Sequence, residues 1–112
     1  NNNNSRMKKC EIELKRQMES LLGIKNRSYV TDQAMSIILM PGDYLDSVVV
    51  EGSTNFKIGT TNGGGEIYDD TVSGYEVITV DQFAVNPLTI YFSGYSTSVK
   101  IHLFIQKAKL YQ

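Results

Sequence analysis

Residues 88–110, LTIYFSGYSTSVKIHLFIQKAKL, read as two long strands joined by a tight polar turn. In the second of them Val99, Ile101, Leu103 and Ile105 alternate with Lys100, His102, Phe104 and Gln106, the period of two that a half-buried strand shows. A ribbon of this kind needs a sheet to lie in, and the chain before it supplies one. Ser28–Thr31 and Ser36–Met40 are candidate strands around the weak break Asp32-Gln33-Ala34, and Pro41-Gly42-Asp43 is a turn. Leu45–Glu51 follows, where Val48, Val49 and Val50 are too continuous for a strand wet on one side. Cover on both faces, or partial cover by the helix, would explain the run. Gly52-Ser53-Thr54-Asn55 turns the chain into the strand Phe56–Thr60, and Asn62-Gly63-Gly64-Gly65 is a loop of residues that tolerate positive φ. Ile67-Tyr68 is a short strand, 69–74 a polar connection, Tyr75–Val80 a strand and Asp81–Pro87 a loop carrying Phe83 and Val85.

Short strands at close intervals, with turns and no repeated helices between them, predict a mainly β fold. The expected form is an antiparallel β-sandwich of jelly-roll type with about eight strands, spanning residues 27–112 and preceded by one amphipathic helix. A chain of 112 residues is one domain's worth and buries a single core.

Residues 1–5 form a flexible polar tail, and residues 6–24 form the helix. Ser5 suits the N-cap, and Met7, Cys10, Leu14, Met18 and Leu21 recur every three or four positions, which places them on one helical face. Lys9 with Glu13, Glu11 with Lys15, and Lys15 with Glu19 sit four apart on the remaining surface. Gly23 fits a C-terminal stop. A helix this short is marginal alone in water, so its stripe needs a partner. The partner is open: its own sandwich, another protein, or copies of itself in an assembly bundle whose seam is short because Gln17 interrupts it.

Composition excludes several classes. Eleven basic residues against 12 acidic ones leave a net charge of −1, and the basic ones concentrate between Arg6 and Arg27, so the sandwich carries no basic stripe for nucleic acid. The longest apolar run, Ile37–Met40, is too short to cross a bilayer, and membrane insertion is not expected. Cys10 is the only cysteine, which leaves no internal disulfide and no cysteine-based zinc site.

Catalytic chemistry is hard to assemble from these residues. His102 is the only histidine, and no G-x-S-x-G elbow accompanies it. Gly59-Thr60-Thr61-Asn62-Gly63-Gly64-Gly65-Glu66 has the look of a phosphate loop but lacks the Lys-Ser or Lys-Thr that would follow. Glu66, Asp69 and Asp70 are close in sequence, and two of them could serve glycoside hydrolysis or three a calcium ion, but Asp is favoured in turns for local reasons. No enzyme, cofactor or metal is expected. Tyrosine is abundant, and Tyr68, Tyr75 and Tyr95, with Asp69 and Asp70, are the candidate surface-binding residues, since a ring with a polar tip beside a loop suits sugars and protein surfaces. Phe104, a large ring on the otherwise polar face of the last strand, is the candidate subunit contact.

Ile38-Leu39-Met40-Pro41-Gly42-Asp43-Tyr44-Leu45-Asp46-Ser47-Val48-Val49-Val50-Glu51, followed by Phe56-Lys57-Ile58-Gly59-Thr60-Thr61-Asn62-Gly63-Gly64, resembles small β-sandwich modules of bacteriophage and prophage virions, in tail or head fibres and related appendages. The resemblance spans about Ile37 to Lys109 and rests on turn and strand residues; the helix is not part of it. It implies a non-enzymatic virion protein, a fibre, appendage or capsid-decorating module. Such a protein is a homo-oligomer, often a trimer, that meets other virion proteins and presents loops toward host surface glycans. The alternative is a free-standing carbohydrate-binding or adhesin-like module, extracellular or on a bacterial surface.

Overall fold

The computed structural model describes residues 11–15, 17, 25–30, 35–96 and 99–108, with 25–30 described by backbone alone. The polar tail, the cap at Ser5, the stop at Gly23 and the stripe positions Met7, Cys10, Met18 and Leu21 lie outside the described residues. Residues 11–15 and 17 are helical. Among the described residues eight strands follow: β1 (Lys25–Val30), β2 (Met35–Leu39), β3 (Tyr44–Glu51), β4 (Thr54–Gly59), β5 (Tyr68–Val72), β6 (Tyr75–Phe83), β7 (Leu88–Ser93) and β8 (Lys100–Gln106).

The strands form two antiparallel four-stranded sheets, ordered β1-β8-β3-β6 and β2-β7-β4-β5. Neighbours in sequence are rarely neighbours in space. The two strands of the closing stretch therefore do not form the ribbon that their sequence suggests: β7 pairs with β2 and β4, while β8 pairs with β1 and β3. Between β7 and β8 the chain thus passes from one sheet to the other.

One hydrophobic core takes side chains from both sheets. Leu45, Val48, Val50, Ile78, Ile101, Leu103 and Ile105 come from the first, and Leu39, Phe56, Ile58, Val72, Ile90 and Phe92 from the second. Alternation sends Val48 and Val50 into this core and Val49 to the opposite face, where Val49 is nonetheless buried. Its cover is the helix: Ile12 packs with Val49, Tyr75 and Phe104 in a second, smaller cluster. The continuous valine run of β3 thus has the two-sided cover expected of it.

Several boundaries differ from the sequence reading, because strand pairing overrides polar composition; β1, for one, begins at Lys25 rather than at Ser28. Residues 69–72 belong to β5 rather than to a connection, since β5 pairs with β4 from Thr54↔Val72 to Ile58↔Tyr68. Residues 81–83 continue β6 past an irregularity opposite Leu45 and Ser47, and there Asp81 adopts φ 53°. Thr54 and Asn55 begin β4 rather than ending a turn.

Candidate functional site

The helix is fastened to the outer face of the first sheet by a basic side chain as well as an apolar one. Lys15 Nζ donates to Ser47 Oγ at 2.8 Å, pairs with the Asp46 carboxylate, and lies 5.0 Å from the centroid of the Phe104 ring. The β3 irregularity falls between Leu45 and Ser47, so Asp46 is the extra residue in the ladder and its side chain is re-aimed toward that ammonium. Two expectations are corrected here. Phe104 is fully buried under Ile12 and Lys15, so its cover comes from its own chain rather than from another subunit. Tyr75 is buried in the same cluster and is not a surface-binding residue. Leu14, in contrast, is 62% exposed and points away from the sheet, whereas Ile12, off the sequence-derived stripe, is the side chain that docks.

His102, on the same face as Phe104, is buried, with Nε2 3.5 Å from Glu51 Oε1. It belongs to β8, an inner strand of the first sheet.

At one end of the molecule a buried carboxylate ties three segments together. Asp43 accepts from Met40 N at 2.9 Å, from Ala108 N at 2.9 Å and from Lys107 Nζ at 2.6 Å. Burial alone would raise its pKa, but the Lys107 ammonium and the two N–H groups prevail and hold it below the ordinary carboxylate value. The backbone completes the join, with Gly42 N on Ala84 O at 2.8 Å and Ala84 N on Asp43 O at 2.9 Å. Gly42 has φ +91°, and a Cβ there would meet the Cβ of Ala108 at 2.8 Å, so glycine is required on both counts.

The glycine-rich loop between β4 and β5 holds an anion of its own. Glu66 accepts from Thr60 N at 2.8 Å and from Thr60 Oγ1 at 3.2 Å, and the backbone bond from Thr60 is the main reason its pKa is lowered. Gly59 leaves room for that carboxylate, which a Cβ would strike. The N–H that a phosphate would use is thus already occupied by a side chain. Glu66 is committed to this loop, and among the described residues no group of three His, Cys, Asp or Glu side chains is placed to hold a metal.

The remaining tyrosine candidates converge on Phe56. Its ring centroid lies 6.3 Å from that of Tyr68, 6.1 Å from that of Phe92 and 5.7 Å from that of Tyr95. Tyr68 and Tyr95 are both half-buried. Burial first, then the charges of Glu76 and Asp70, raise the Tyr68 pKa. Asp69 and Asp70 fall on opposite faces of β5, an edge strand, and both are exposed. Asp70 pairs with Phe56 in register, which puts its charge on the inner side of a sheet edge. A charge in that position discourages another strand from adding there.

Beside Tyr95 an open groove of about 410 Å³ is lined by residues from the β3–β4, β5–β6 and β7–β8 connections and the strand ends next to them, among them Asn55, Thr71, Ser73 and Ser96. Thr54 shapes it, accepting from Ser96 N at 2.7 Å and donating to Asn55 O at 2.8 Å. Thr71 Oγ1 donates to Asn55 Oδ1 at 3.0 Å across the β4–β5 pair. Of the tyrosines and acids singled out from sequence, only Tyr95 lines this groove.

No family model, curated protein or solved structure matches the chain. The groove-lining serines, threonines and asparagine carry no sequence signal that separates them from ordinary turn residues. They come together because strands distant in the chain are neighbours in the sheet.

Proposed function

We propose that the chain is a non-enzymatic jelly-roll β-sandwich that works by assembly and attachment, as a fibre, appendage or capsid-decorating module of a virion. The observation that carries the fold part of this reading is the strand order, β1-β8-β3-β6 beside β2-β7-β4-β5. Two four-stranded antiparallel sheets linked by repeated crossings and filled by one shared core are the architecture of viral capsid and lectin jelly rolls. The fold alone does not assign a function, and the virion reading also draws on the resemblance of Ile37 to Lys109 to phage modules.

Exposed apolar side chains support assembly into a homo-oligomer, with a trimer favoured. Besides Leu14, Met40, Phe83 and Val85 are large and exposed, and the last three stand on segments that the Asp43 junction binds together. Ile38, on the edge strand β2, is exposed as well. Concentrated exposure of this kind marks a surface that meets protein. Other virion structural proteins are the remaining partners in this reading, and the virion its location.

Light-scattering mass measurement tests it. The expected result is a discrete oligomer for the native chain that dissociates at least tenfold more readily in Leu14→Glu, with an unchanged far-ultraviolet spectrum. A native chain that is monomeric at high micromolar concentration would contradict the assembly reading. The second reading, a free-standing carbohydrate-binding module outside the cell or on a bacterial surface, is favoured by the hydroxyl-lined groove beside Tyr95.

A further inference from the structure

We infer that the groove at the β3–β4, β5–β6 and β7–β8 end is a binding site for a neutral oligosaccharide. The inference gives a ligand class to the attachment role proposed above, but it rests on the groove and not on assembly. Its lining, which includes Thr54, Asn55, Thr71, Ser73, Tyr95 and Ser96, carries no charged side chain. A site for phosphate, sulfate or a sialylated glycan would place a cation there, because a charged ligand leaving water needs a paired charge.

The polar groups present suit sugar hydroxyls. Serine and threonine hydroxyls both donate and accept, and an asparagine amide adds two donors beside its acceptor. Asn55 is exposed, and its Oδ1 is held by Thr71 Oγ1 at 3.0 Å, which fixes the amide plane and turns its nitrogen outward from that bond. Thr54 Oγ1 ties the start of β4 to the β7–β8 connection by accepting from Ser96 N at 2.7 Å. The groups that would meet a ligand are therefore oriented before it arrives, which lowers the entropy lost on binding.

Tyr95 supplies the apolar part. Its ring leans on Phe56 with centroids 5.7 Å apart and planes 41° apart, and Phe56 is itself fully buried. The tyrosine is thus braced from behind and half-exposed in front, a platform for the C–H face of a pyranose. The open shape of the groove favours a chain laid along the surface over a small apolar molecule, which would need enclosure.

The test is the 112-residue chain on an array bearing neutral, sialylated and sulfated glycans, beside three variants. Asn55→Ala removes the amide, Tyr95→Ala removes the platform, and Ser73→Trp fills the groove from an exposed position with no core contact to disturb. The expected result is retention on one or more neutral glycans, at least a tenfold loss in Asn55→Ala and Tyr95→Ala, and abolition in Ser73→Trp with an unchanged melting temperature. Retention by no glycan, preference for charged glycans, or neutral-glycan retention that survives Ser73→Trp would overturn the inference. Mass reports assembly and the array reports the groove, so either can fail while the other stands.

Discussion

Replacing Phe56 with alanine is expected to destabilise the fold by about 4 kcal/mol, the range for deleting a wholly buried aromatic ring. Phe56 sits where the second sheet meets the shared core, in contact with Tyr68, Phe92 and Tyr95, and has no exposed surface. Strands β4, β5 and β7 and the β7–β8 crossing all lose packing at once, and the backbone pairs of β4 on both sides prevent collapse into the space. A domain of this size has about 5–15 kcal/mol in total, so the variant keeps a small part of it. Urea unfolding measures the change as a lower midpoint at constant slope. Asn62→Ala, at an exposed loop position, is the control, expected within about 0.5 kcal/mol of the native chain. A loss at Phe56 below about 1 kcal/mol would show that the ring is not at the centre of the core.

The second large effect is at Asp43. Asp43→Ala removes the acceptor for Met40 N, Ala108 N and Lys107 Nζ together and leaves the N–H groups of a tight junction without a partner. Lost bonds to a charged group and newly unsatisfied donors sum to about 3 kcal/mol. Asp43→Asn keeps the shape and an acceptor but not the charge, and falls between the two. The pH dependence has a definite sign. The carboxylate is more acidic folded than unfolded, so its contribution is complete above the ordinary value of 3.8 and drains away as pH falls through the lower folded value. Native protein should therefore lose stability more steeply below about pH 4 than Asp43→Ala does, in urea midpoints taken across the acid range. Parallel curves for the two would mean that the junction does not depend on the ionised form.

Strand content was legible because alternation and turn chemistry are local. The Pro41-Gly42 turn, the two-sided cover of Val48–Val50 and the loop at Asn62–Gly65 all follow from neighbours in sequence. Pairing was not legible in the same way. The closing stretch has the pattern of a hairpin, yet β7 and β8 lie in different sheets, because partner choice depends on which faces the rest of the chain must bury. Phe104 is a related case: on a face marked by Lys100 and His102 a ring looks stranded, and only the tertiary placement of Ile12 and Lys15 shows that they cover it. Glu66, Asp69 and Asp70 looked like a cluster by number. Pairing along β5 separates the aspartates onto opposite faces, and Thr60 holds the glutamate in its own loop. Asp43 and Asn55 gave no signal beyond that of turn residues, since their roles depend on segments 64–65 and 16 positions away.

The groove, the Asp43 junction and the helix seat all depend on β7 and β8 parting company at Gly94. Cross-strand nuclear Overhauser contacts in labelled protein measure this most directly. Contacts of Ile101 with Val50 and of Leu103 with Val48, together with contacts of Phe92 with Ile58, are the predicted result. Contacts running in register between residues 88–93 and 100–106, as in a hairpin, would contradict it.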